Sequence, residues 1–170
     1  MQSVTIRHEY RLDLAAASPR AVLPAPLGMS VRAISAADGR DLAELMLDAY
    51  RNTIDYEGEG ITEAVAEVQG YFSREAKNPA IAHHSVVLVS GETLACACMI
   101  KLWRQANVPL VGYVMCRQQH KRRGLATHAL HEAIGNLQRA GYAELRAFIT
   151  EGNAASEALF ARAGFERVDR

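Results

Sequence analysis

The chain has 170 residues, 49% hydrophobic and 22% charged, with a formal net charge of zero. That length suits one domain with a sizeable core. The charge balance argues against a global pull toward nucleic acid or an anionic membrane. No apolar run is long enough to span a bilayer. The start MQSVTIRHEYRLDL carries charges where a signal peptide needs an apolar stretch, so a cytoplasmic protein is expected.

Residues 3–12 alternate Val4, Ile6, His8, Tyr10 and Leu12 with Thr5, Arg7, Glu9 and Arg11. That period of two predicts a half-buried strand. Residues 15–28 hold Pro19, Pro24 and Pro26 without periodicity and read as a linker or an extended crossing segment. The expected division is therefore 1–28, an N-terminal strand with its proline-containing connector, and 29–170, the main domain. Residues 29–34 are a second strand. Ser35 caps a helix to about Tyr50, with Asp38 completing a weak capping box and Leu42, Leu45, Met46 and Ala49 forming an apolar stripe. The polar stretch 52–60, NTIDYEGEG, is a loop. Thr62 opens a second helix, with Val65, Val68 and Phe72 inward, which ends near Glu75. Pro79 then breaks the chain.

Strands over 85–89, 94–103 and 108–116 follow with short connections, which makes an antiparallel meander. A long helix over 123–140 shows Leu125, Ala129, Ala133, Ile134 and Leu137 at helical spacing and stops at Gly141. A strand over 143–149, a helix capped by Asn153 and stopped by Gly164, and a short strand over 165–168 complete the chain. The long crossover helix makes strands 108–116 and 143–149 parallel neighbours. The order is that of an α/β (α+β) protein.

Cys96, Cys98 and Cys116 lack the spacing of a disulfide framework or a zinc site and read as small core residues in a reducing compartment. Cys96 and Cys98 alternate on one strand and face the same way. His128 and His131 share a helix face without a third ligand, so no metal is expected. His83 and His84 read as a surface pair.

The chemistry concentrates after Val114, in MCRQQHKRRGLATHAL. A strand ends, a basic turn follows, and a helix opens at Gly124. The first N–H groups of a helix lack internal partners and sit at the positive end of its dipole. Such a terminus is a ready anion site. Gly124 lets a bulky ligand approach the main chain, Ala126 keeps the next turn small, and Lys121, Arg122 and Arg123 add positive charge, with His120 beside them. Neither a P-loop nor a dinucleotide-binding glycine motif is present.

Lys121, Arg122, Arg123, Gly124, Leu125 and Ala126 resemble the [RQ]-x-x-G-x-[GA] motif of GNAT N-acetyltransferases, with Lys at the first position. Asn153, Phe160 and the Gly164–Phe165 pair follow in that family's order. The resemblance covers roughly residues 29–170. It implies a mixed, mostly antiparallel sheet of about six to seven strands, helices on both faces, and a splayed parallel pair at the cofactor site. It further implies acetyl-CoA as cosubstrate, with an amine acceptor and no metal. The main chain of Val114, Met115 and Cys116 would bond the pantetheine arm as an added strand. Residues 122–127, through Thr127, would wrap the pyrophosphate, and Asn153 and Phe160 would flank the arm and its thiol. The Cys116 N–H is the candidate oxyanion donor. Phe160 stands where much of the family has a tyrosine acid, so Tyr113 is the candidate proton donor. Asp55, Glu57 and Glu59 lie in the loop that lines the family's acceptor site, and Glu57 is the candidate base or amine binder. The family's second terminal strand has no room after Phe165. The N-terminal strand is expected to fill that vacant sheet position, in its own subunit or in a partner as a homodimer. A CoA-sensing module without turnover is the alternative reading. A nucleic-acid binder using His120–Arg123 is the weakest, because that patch is short and lacks interleaved aromatics.

Overall fold

A computed structural model describes residues 4–75 and 79–169. It contains a seven-stranded sheet in the order β2-β3-β4-β5-β6-β1-β7. The strands are β1 (Arg7–Asp13), β2 (Met29–Ala33), β3 (Val86–Ser90), β4 (Thr93–Trp103), β5 (Val108–Cys116), β6 (Glu144–Thr150) and β7 (Glu166–Arg167). All neighbours are antiparallel except β5 and β6. The meander and the parallel crossover pair stand as the sequence predicts.

Two apolar cores lie on the two sheet faces. The side chains of β4 are divided by their alternation. Cys96, Cys98 and Ile100 join the core under α4 (Leu125–Arg139), while Ala97 and Met99 join the core under α1 (Gly39–Tyr50) and α2 (Ile61–Glu75). All the cysteines are free and buried.

The N-terminal strand lies in the sheet of its own chain, between β6 and β7, with Leu12 opposite Leu145. Ser3 of the predicted strand falls outside the described residues. Glu9, read as solvent-facing, is buried, because the Arg146 guanidinium pairs with it. Val4 and Ile6 are exposed. Residues 15–28 are the extended crossing segment. They must pass from one side of the sheet to the other, since β1 and β2 are far apart in the strand order. The segment lies against α4: Arg20 N–H and Leu23 N–H donate to Gln138 Oε1 and Glu132 Oε1, and His131 donates to the Ala21 carbonyl.

Ser35 N–H donates to Asp38 Oδ2 at 2.8 Å and Ala37 N–H to Ser35 Oγ at 3.2 Å, so the capping box forms, around a 3-10 turn (Ala36–Asp38) that leads into α1. On α2 the expected inward set shifts. Val68 is buried, but Tyr71 rather than Phe72 is the fully buried aromatic. Its hydroxyl donates to the Ile100 carbonyl at 2.7 Å, while Ile100 N–H donates to Ser85 Oγ at 2.7 Å. Ile100 lies beyond the start of β3, so its peptide groups need side-chain partners in the dry interior. Pro79 opens a short helix, α3 (Pro79–Ala82), instead of an irregular break. A proline at the first helical position loses no intrahelical bond. His84 is buried, its ring edge-on to Tyr142 at 5.7 Å, which corrects the surface-pair reading, and burial pushes its pKa down. The last helix, α5 (Ala154–Arg162), is followed by only two residues of strand.

Candidate active site

The sheet opens where β5 and β6 part. Their parallel pairing is confined to Leu110 with Arg146 and Val111 with Ala147. The register of β4 against β5 explains the divergence. Met99 faces Tyr113 and Ile100 faces Val111, which leaves Gly112 as an extra residue on β5. Such a bulge bends its strand and raises the local twist. Beyond it β5 follows β4 and turns away from β6.

Arg117 N–H donates to the Ala95 carbonyl on β4 at 2.9 Å. Strand alternation then points the N–H groups of Val114 and Cys116 away from β4, into the gap. A cavity of about 560 Å³ occupies this gap, walled by Val111–Val114 on one side and Phe148–Thr150 on the other. Met115 and Cys116, the next residues of β5, are buried. Phe160 is buried, packs edge-on to Phe165 at 5.0 Å, and presents one wall. Asn153 caps α5 by accepting from Ser156 N–H at 3.1 Å.

At the end of β5 the chain enters the basic turn. Arg122 and Gly124 are left-handed, with φ of 62° and 74°. The first bond of α4 runs from His128 N–H to the Gly124 carbonyl at 2.9 Å. The N–H groups of Leu125, Ala126 and Thr127 therefore precede the intrahelical ladder and point out of the helix start. Paired left-handed and right-handed residues make a concave nest of amides suited to an anion. Nothing lies within 4 Å of the place a Cβ on Gly124 would take, so this approach is open. The Lys121 ammonium is turned aside, donating to the Ala49 carbonyl at the end of α1 (3.3 Å), and Arg123 donates to His120 Nδ1 (3.0 Å). Gln118 N–H is tied to Asp48 Oδ2 (2.7 Å). The Cys116 thiol accepts a bond from Cys96, which together with the positive charge of Lys121 and Arg123 pushes its pKa down, while Cys96 is pushed up.

The acidic loop supplies the other wall. Asp55 is held from both sides, by Thr150 Oγ1 (2.6 Å) and Asn153 Nδ2 (2.9 Å). Glu59 Oε2 accepts from Glu57 N–H (3.0 Å), and Glu63 Oε2 from Gly60 N–H (2.9 Å). Glu57 itself is exposed and does not line the cavity, whereas Asp55, Glu59, Glu63 and Glu67 do. Tyr113 projects into the cavity and donates its hydroxyl to Glu67 Oε1. Burial, reinforced by that carboxylate, pushes the Tyr113 pKa up, so its proton is retained. Arg7, Lys101, Glu67 and Thr150 line the same cavity, and sequence reasoning singled out none of them. Lys101 left a readable signal, a single charge inside the otherwise apolar LACACMIKLW of β4. Arg7 looked like any residue on the polar side of a strand.

The profile of the acetyltransferase (GNAT) domain matches residues 29–166. Among curated protein sequences, none matches the chain. Solved structures of similar fold include a GCN5-related N-acetyltransferase from Sphaerobacter thermophilus, with 19% identity over 97% of this chain and 49% of that one, at a TM-score of 0.72. A tandem GNAT protein from the clavulanic acid biosynthesis pathway aligns at 17% identity over 96% and 50%, TM-score 0.71. The PaiA N-acetyltransferase from Thermoplasma acidophilum, in complex with coenzyme A, aligns at 18% identity over 85% and 93%, TM-score 0.69. The chain spans about half the length of the first two of these proteins. The fold and the matched profile define a domain of the acetyltransferase (GNAT) class. The chain belongs to the GNAT acetyltransferase family.

Proposed function

We propose that the protein transfers an acetyl group from acetyl-CoA to a primary amine by direct attack in a ternary complex. The observation that carries this reading is a parallel pair, β5 and β6, bonded only at Leu110 and Val111, whose strand β5 leads at its end into the amide nest at the start of α4. An extended arm fits the gap as a strand, bonded by the main chain of residues 114–116. A diphosphate fits the nest, where the free amides of Leu125, Ala126 and Thr127 open the helix beside Arg122, Arg123 and Gly124. Lys121 supports this site by fixing the turn to α1 and adding charge. Asn153 and Phe160 bound the far side of the arm.

The Cys116 N–H, aimed into the gap, is the donor for the developing oxyanion. Phe160 carries no proton. Tyr113 holds one, and its raised pKa lies above that of a thiol, so full transfer to a departing thiolate is uphill. Tyr113 therefore acts as a hydrogen-bond donor by turning its one O–H from Glu67 to the sulfur, and the thiolate takes its last proton from solvent. The cavity-facing carboxylates Glu59 and Glu67, in place of the exposed Glu57, attract the amine and relay its proton through water. The free, buried cysteines suit a reducing compartment, and on that ground the protein is assigned to the cytoplasm.

Calorimetry with acetyl-CoA and a CoA-release assay over a broad amine panel test the proposal. Saturable binding with amine-dependent release is expected. Binding without turnover above hydrolysis would favour the sensor reading, and absence of binding would remove both.

A further inference from the structure

The cavity is lined by charges of both signs. Its carboxylates come from the loop before α2 and from α2 itself, and each already has a partner in the protein: Asp55 with Thr150 and Asn153, Glu59 and Glu63 with backbone amides, Glu67 with Tyr113. Its cations, Arg7 and Lys101, differ. Among the described residues neither side chain makes a hydrogen bond or an ion pair, though both line the cavity and the Lys101 ammonium lies over the Tyr113 ring, 5.7 Å from its centroid. They come from opposite sides of the gap. Lys101 rises from β4 and Arg7 from β1, with β5 and β6 between them. Alternation puts both on one face. Lys101 follows Met99 by two residues on the face carrying α1 and α2, and Arg7 faces Thr150, whose hydroxyl meets Asp55 on that same side.

Between them lies Gly112, the bulged residue, which has no side chain. The Lys101 stem runs over it, with Cδ 3.2 Å from where a Cβ would stand. Phe148 completes an apolar floor, held edge-on by Trp103 at 5.2 Å. Burial, with the nearby charge of Arg74, pushes the Lys101 pKa below the ordinary lysine range. An anion at this point would relieve both cations, and a flat two-oxygen anion suits the fork of an arginine and the point charge of a lysine together.

We infer that Arg7 and Lys101 bind the carboxylate of the acceptor, so that the substrate is an amine that also bears a carboxylate, the simplest case being an amino acid. This rests on the acetyltransferase reading above. The carboxylate sits over Gly112, and the amine projects along β5 toward Val114 and the thioester. The acidic wall of α2 lies on the amine's side. The substrate's carboxylate and amine thus each meet opposite charge in the cavity, and an amine lacking the carboxylate leaves Arg7 and Lys101 without an anion between them.

The test compares CoA release for the common amino acids, β-alanine and γ-aminobutyrate with release for the amine left when each loses its carboxylate. At least one acid is expected to exceed its decarboxylated counterpart by about tenfold or more in kcat/KM, as expected when a charged contact is lost. In Arg7→Gln and Lys101→Met that preference should collapse toward parity. Acetyl-CoA calorimetry on each variant checks that the fold and cofactor site persist. Parity or a preference for decarboxylated amines in the native chain would overturn the inference, as would a preference that survives both substitutions. Binding of the same acids in the presence of CoA, followed by calorimetry, reads the site without turnover. Heat lost in both variants supports the pair, and no heat with any acid counts against it even if amines are acetylated. Failure to bind acetyl-CoA, in contrast, would strike the acetyltransferase reading itself, and the acceptor assignment with it.

Discussion

In the proposed reaction single residues fix the chemistry, Gly124 through the backbone and Tyr113 through a proton. Gly124 takes φ of 74° with open space where a Cβ would sit. Gly124→Ala therefore meets no clash, and its cost is conformational, about 1–2 kcal/mol. Urea unfolding should read that loss. Calorimetry should read a larger effect on acetyl-CoA, a fall in affinity of about tenfold or more, because the methyl group stands over the amides. Affinity equal to the native chain would place the diphosphate elsewhere. Tyr113 keeps its proton well above neutral pH, since burial and Glu67 both oppose its ionisation. Tyr113→Phe should lower kcat by about tenfold or more with acetyl-CoA affinity preserved. Because the native hydroxyl stays protonated, both enzymes should show the same pH–rate limbs between neutrality and pH of about 10. A limb that vanishes in the variant would instead make Tyr113 a titrating acid.

At the level of elements, the start of α1 depends on Asp38. Its carboxylate accepts from Arg32 (2.7 and 2.8 Å) and from Ser35 N–H (2.8 Å). The Arg32 bond is the main reason its pKa lies below the ordinary carboxylate range. A depressed folded pKa means that this stabilisation is complete above the unfolded value near about 4 and is lost as pH falls through the folded one. Asp38→Asn should cost about 1 kcal/mol at neutral pH. It should also flatten the acid limb of melting temperature against pH. The difference between native and variant melts should shrink on acidification, and a constant difference would assign the stabilisation to the neutral contacts. The capping box was legible because its spacing is local. The meander and the crossover helix were legible because period and length are local too. The splay came only with the family resemblance, because the bulge at Gly112 depends on how β5 registers against β4, and no pattern within VPLVGYVMC announces it. Tyr71 was missed for the same reason, since its value lies in the Ile100 carbonyl that β3 leaves unpaired. The basic turn with Gly124 and the Asn153 cap could be read directly. The cations of the acceptor side, Arg7 and Lys101, come together only through sheet order.

For the whole molecule, the profile match begins at residue 29, whereas the sheet uses residues before that point. β1 pairs along its length with β6 and supplies the only strand partner of β7 among the described residues. Leu12 and Leu14 are buried in the core that contains Phe160 and Phe165, and Leu12 Cδ1 is 3.4 Å from where a Cβ on Gly164 would stand. The connector then covers α4, with Gln138 bonding both Arg20 N–H and the Leu14 carbonyl. Removing residues 1–28 would uncover the edge of β6, leave β7 unpaired and open the core behind Phe160. Exposing two such leucines forfeits about 2–5 kcal/mol each, judged from core truncations. For a chain of this size that corresponds to a fall in melting temperature of the order of 10–40 °C. The fragment 29–170 should therefore melt well below the full chain or associate through its bare strand edge, which calorimetric melts and light scattering would read. It should also bind acetyl-CoA more weakly, since the Phe160 wall loses its support while the α4 amides stay in place. A fragment that melts with the full chain and binds the cofactor equally would make β1 an accessory, present only to bring Arg7 to the acceptor side.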